Sequence, residues 1–107
     1  MNKKIKTSDK GRNHGSVEEN LKRLKPTLAR KFKVKRLGLF GSYVKGQMRQ
    51  SSDIDILVEF SGTIDLLEFV ALEKYLAEQT GAKIDLVSIK ALRPEFRPTI
   101  LNEVIYI

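Results

Sequence analysis

The chain has 107 residues, of which 41% are apolar and 31% charged, with a formal net charge of +7. That length supports a single modest core and leaves no room within it for a separate substrate-selecting domain. The absence of cysteine excludes disulfides and cysteine-ligated zinc and suits a reducing compartment. No apolar run approaches the roughly 18 residues of a membrane span, so a soluble, cytoplasmic protein with no membrane role is expected.

The charge is unevenly placed. Residues 1–37 carry thirteen Lys and Arg against three acids, a net of +10, and residues 38–107 carry seven against ten, a net of −3. The basic half either steers RNA or an acidic partner towards the chain or is a solvated tail with a charged helix face.

Residues 1–15 are lysine-rich, punctuated by glycine and without periodicity, the pattern of a flexible tail. Their basic start lacks the apolar segment of a signal peptide. His14, the single histidine, falls in this tail and is given no role. The folded domain is expected over 16–107. Ser16 with Glu19 forms a capping-box pattern, and Val17, Leu21, Leu24, Leu28 and Phe32 follow at three- and four-residue intervals, the mark of one buried helical stripe. Pro26 interrupts this stripe and is expected to kink the helix or open a second one.

A short run of strand formers, Val34 to Phe40, ends at Gly41-Ser42, and a second, DIDILVEF, covers Asp53 to Phe60. A helix is expected from about Ile64 to Gln79, closed by Gly81. It is apolar around more than half its circumference, so one face packs on the sheet and the excess is available to a partner or to a tightly wrapped core. KIDLVSI is a third strand, a short helix follows from about Glu95, and VIYI is a candidate edge strand. The order defines an α/β (α+β) fold, a small sheet covered by helices.

The aspartates inside these strands demand an explanation. Residues i and i+2 of a strand share a face, which puts Asp53 and Asp55 together at the N-terminal end, with Leu57 and Glu59 further along. Ile54, Ile56, Val58 and Phe60 take the core side. Same-face neighbours are about 6.6 Å apart, twice the rise per residue. Two bare negative charges at that distance repel by about 2.5 kcal/mol at an effective dielectric near 20. A hard cation reverses the sign, and oxygen-only ligands select Mg²⁺ or Mn²⁺. Asp85 interrupts its own β-rich run in the same way. If its strand lies beside DIDILVEF, three carboxylates converge in a manner suited to two metal ions. Glu59 fits better as a solvated acid at a strand end.

Gly41-Ser42 supplies the complementary half. Glycine permits close backbone approach, serine offers a hydroxyl, and a helix start beyond it would present free N–H groups to an anion. Lys45 is either a further charge for a phosphate oxygen or an ordinary surface lysine.

Gly41-Ser42, then Asp53-x-Asp55 at a strand start, then Asp85 in a later strand resemble the motif set of the DNA polymerase β-like nucleotidyltransferases, and most closely their minimal nucleotidyltransferase (MNT) group. The resemblance covers about residues 17–107. It implies transfer of a nucleoside monophosphate, AMP from ATP, to a hydroxyl with release of pyrophosphate. By the same resemblance Gly41 and Ser42 hold the β- and γ-phosphates, Asp53 and Asp55 ligate both Mg²⁺ ions, and Asp85 holds the ion that activates the hydroxyl. Lys45 departs from the arginine common at its position. Many members of the group are antitoxins beside a HEPN-domain ribonuclease toxin, and some adenylylate it. Two other functions are weighed against this one: an antitoxin that acts by occlusion without catalysis, and a nucleotidyltransferase acting on RNA or a small molecule.

Overall fold

The computed structural model describes residues 14–41, 43–46 and 53–107. Most of the expected tail (residues 1–13), Ser42 and residues 47–52 lie outside the described residues. The elements in chain order are α1 (His14–Phe32), β1 (Val34–Phe40), β2 (Ile54–Phe60), α2 (Leu66–Thr80), β3 (Ile84–Ser88), α3 (Arg97–Glu103) and β4 (Ile105–Tyr106), with one turn of 3₁₀ helix at Ile89–Ala91.

α1 begins at His14, so Ser16 lies inside the helix rather than capping it, and Pro26 opens no second helix, since α1 runs on to Phe32. Pro26 and Lys22, whose carbonyl it leaves without an intrahelical donor, both face solvent, where water can take that bond. The buried anchors Leu21, Leu24 and Leu28 flank the site and hold the helix against the sheet across it.

The sheet has the order β3-β2-β1-β4. β1 is antiparallel to both β2 and β4, while β2 and β3 are parallel. Parallel neighbours require a crossover connection, and α2 provides it. Asp65 caps this helix: its carboxylate accepts from the Glu68 N–H at 2.8 Å, and Glu68 returns a bond to the Asp65 N–H at 2.9 Å. The helix ends at Gly81, as the sequence indicated. Glu73 of α2 also accepts from the Leu86 N–H at 3.3 Å, which satisfies an outward donor of the edge strand β3.

One core joins both long helices to one face of the sheet. Leu21, Leu24 and Leu28 of α1 and Leu72 and Leu76 of α2 meet Leu37, Leu39, Ile54, Ile56, Val58, Ile84 and Leu86. Tyr43, from the turn after β1, is buried in the same cluster. The opposite face carries Gly38 and Phe40 of β1, Asp55, Leu57 and Glu59 of β2, and Asp85 of β3. This face is partly covered: Leu57 is only 1% exposed. Over Gly38, which pairs with Leu57, lies Val104, close enough that a Cβ at position 38 would collide with it. Among the described residues, no helix is long and apolar enough to cross a membrane.

Candidate active site

The parallel register of β2 and β3 places Asp55 directly beside Asp85. The antiparallel register of β1 and β2 places Phe40 beside Asp55, and Gly41 follows Phe40. Three strand ends therefore bring Asp53, Asp55, Asp85 and Gly41 to one end of the sheet, on the face away from the core for Asp55 and Asp85. Asp53 precedes β2 and is exposed, as is Asp85, while Asp55 is half-buried. Asp55 and Asp85 share that face because each core-facing neighbour (Ile54, Ile56, Ile84, Leu86) is claimed by the hydrophobic cluster, which fixes the alternation.

Gly41 has φ +72°, and a Cβ there would run into the carboxylate of Asp55. Only glycine combines that left-handed backbone with so close an approach. The turn that follows is closed by the Lys45 N–H donating to the Gly41 carbonyl at 3.1 Å and the Gly46 N–H donating to the Tyr43 carbonyl at 3.3 Å. Residues 43–46 form a turn, and residues 47–52, where the expected helix would continue, lie outside the described residues. Ser42 lies outside the described residues. Lys45 extends to Glu103 at the end of α3, Nζ to Oε2 3.8 Å, and the Gly41 N–H donates to the other oxygen of the same carboxylate at 3.2 Å.

The sequence reading missed Glu103. Its signal was an acid in the last turn of a short helix, where the helix dipole opposes it, but its partner lies 62 residues earlier in the chain. Glu59 behaves as a surface acid: Arg36 donates to it at 2.8 Å and Lys35 lies 3.9 Å away. Those contacts, chiefly the Arg36 hydrogen bond, hold its carboxyl below the ordinary range. Burial, with a smaller contribution from Glu18, pushes the Tyr43 phenol up to about 12.

The carboxylates offer oxygen donors alone, the set that suits Mg²⁺ or Mn²⁺. Among the described residues, no three His, Cys, Asp or Glu side chains are gathered closely enough to enclose an ion unaided. The expected convergence of Asp53, Asp55 and Asp85 into one such group is not seen, and the strands pair only Asp55 with Asp85. Two carboxylates still suit Mg²⁺, which completes its shell with water and substrate phosphates. A cavity of about 310 Å³ lies at the other end of β2 and β3, lined by Phe60, Ile64, Leu66, Phe69, Ile89 and Lys90 among others. None of the candidate site residues lines it.

Fold and site together define a small α/β domain that presents strand carboxylates beside a glycine turn. Residues 21–107 match the family model for the nucleotidyltransferase domain. The chain is similar to the protein adenylyltransferase MntA of Thermococcus cleftensis, with 41% identity over 91 residues that cover 85% of this chain and 92% of the relative. In structure it is similar to a minimal nucleotidyltransferase, with a TM-score of 0.69, 32% identity, and 83% of this chain and 93% of that one covered. It is also similar to a chain in the crystal structure of a toxin–antitoxin with AMP-PNP, at TM-score 0.64, 26% identity, and 88% and 71% coverage. The chain belongs to the nucleotidyltransferase family, as its motif set implied, and the mixed sheet covered by helices is the expected fold.

Proposed function

We propose that this chain is a protein adenylyltransferase that moves AMP from ATP to a hydroxyl of a partner protein, acting as the antitoxin to a HEPN-domain toxin. The observation that carries this reading is the pairing of Asp55 with Asp85 across β2 and β3, directly beside Gly41. The relatives support the acceptor class: one is a protein adenylyltransferase, and another is part of a toxin–antitoxin with AMP-PNP.

In this reaction the acceptor oxygen attacks the α-phosphorus of ATP, the bond from that phosphorus to the bridging oxygen breaks, and pyrophosphate leaves. Gly41 and Ser42 would seat the β- and γ-phosphates, and glycine is needed at 41 because the Asp55 carboxylate already fills the space a side chain would take. Asp53 and Asp55 would hold two Mg²⁺ ions, with Asp85, beside Asp55 across the parallel pair, sharing one of them. The ions would neutralise charge on the phosphate oxygens and ease loss of the hydroxyl proton to solvent. Lys45 contributes a positive charge at the rim of the turn.

The test is transfer of label from α-labelled ATP to the partner toxin in the presence of Mg²⁺. Asp53→Asn is expected to lower transfer at least about a thousandfold, or about 4 kcal/mol of barrier, with an unchanged far-UV spectrum. Undiminished transfer by this variant would sink the reading. A second reading, neutralisation by occlusion, is favoured by one observation: Leu66 and Leu67, in the first turn of α2, are 75% and 80% exposed. If an Asp53→Asn, Asp55→Asn double variant still neutralises the toxin fully, occlusion is the mechanism.

A further inference from the structure

Glu103 closes a ring around the turn that begins at Gly41. One carboxylate oxygen accepts from the Gly41 N–H at 3.2 Å, and the other lies 3.8 Å from the Lys45 ammonium. The Lys45 N–H in turn donates to the Gly41 carbonyl at 3.1 Å. The two ends of the turn are therefore tied to each other and to one side chain. Gly41 is held on three sides, through its N–H by Glu103, through its carbonyl by Lys45, and at its Cα by the carboxylate of Asp55.

Glu103 is itself fixed in place. β4 follows it almost at once and pairs with β1 through Gly38↔Tyr106 and Leu39↔Ile105. The Ile107 N–H extends the pairing to the Leu37 carbonyl at 2.9 Å. Val104, adjacent to Glu103, fills the space over Gly38. The C-terminal segment thus runs back along the strand that delivers Gly41. A carboxylate at the end of a helix works against the helix dipole, and its two partners here, a backbone N–H and an ammonium, offset that opposition.

We propose that Glu103 is a positioning residue for the triphosphate, and that its hydrogen bond to the Gly41 N–H sets the peptide plane from which the phosphate-binding turn departs. The inference rests on reading the Gly41 turn as the phosphate cradle. Glu103 reaches no reacting atom and acts through Gly41 and, secondarily, Lys45.

The experiment compares wild type, Glu103→Ala and Glu103→Gln in calorimetric binding of a non-hydrolysable ATP analogue with Mg²⁺, alongside thermal melts of each. Glutamine keeps an acceptor oxygen for the Gly41 N–H and loses only the charge facing Lys45. Glu103→Ala is expected to weaken binding about tenfold or more, the scale of one charge-assisted hydrogen bond. Glu103→Gln is expected to stay within about threefold of wild type, a rescue that loss of helix packing would not give. Unchanged affinity in Glu103→Ala overturns the proposal, and tighter binding does so too, because the carboxylate would then be competing with the triphosphate. If Glu103→Ala does not fold, a tenfold loss in Glu103→Gln overturns it alone. Failure of wild type to bind the analogue overturns the nucleotide reading of the turn and this inference with it, whereas binding by wild type and Glu103→Ala alike removes only the role of Glu103.

Discussion

Gly41 meets two demands at once, a left-handed backbone and a carboxylate against its Cα. An alanine there faces a left-handed penalty of about 1–2 kcal/mol and forces Asp55 aside. Gly41→Ala is expected to lower the stability read from urea melts by at least that amount. Label transfer should fall at least tenfold even at temperatures where the variant is folded; full transfer would separate this turn from the chemistry. The residues of the candidate site differ in how readable they were. Asp53 and Asp55 are legible because their relation is local, two positions apart in a run of strand formers. Asp85 is legible as an interrupted strand, but its place beside Asp55 depends on a register that only the assembled sheet supplies. Glu103 was not legible at all, since its meaning lies in a contact with a remote glycine.

Among the elements, the strands matched their expected bounds to within a residue because alternation and flanking turn residues specify them locally. α1 did not match at Ser16, and Pro26 opened no second helix in it. Both signals are local preferences worth a few kcal/mol at most, and a stripe of leucines buried along the whole helix outweighs them. α2 shows the reverse case, in which local chemistry and tertiary structure agree. Its box of Asp65 and Glu68 satisfies two donors at the helix start, ahead of the exposed Leu66 and Leu67. Asp65→Ala is expected to lower stability by about 1 kcal/mol, measured as a shift in the urea midpoint at constant slope. An unchanged midpoint would mean that packing of Leu72 and Leu76 alone holds the helix.

On the scale of the molecule, the core occupies one side of the sheet and the carboxylates the other, and Tyr43 links them by burying its ring from the turn after β1 in the core cluster. Its phenol is raised to about 12 by that burial, whereas in the unfolded chain a tyrosine ionises near 10. Between those values the unfolded chain holds fewer protons than the folded one, so stability present below about pH 10 is lost as pH rises towards 12. Tyr43→Phe has no such proton to lose. Its urea midpoints measured at about pH 9, 10 and 11 should fall less steeply than those of wild type, and equal slopes would show that Tyr43 does not contribute.

The parallel pairing of β2 with β3 has a kinetic consequence. Asp55 and Asp85 become neighbours only after the chain has left β2, formed α2 and returned. Hairpin contacts between β1 and β2 form across shorter loops, and long-range parallel pairs are slow to close. A nascent or partly refolded chain can thus hold the glycine turn and the Asp53-Asp55 strand while Asp85 is still undocked. The side-by-side placement of Asp55 and Asp85 therefore emerges only with the closing of the sheet's parallel ladder.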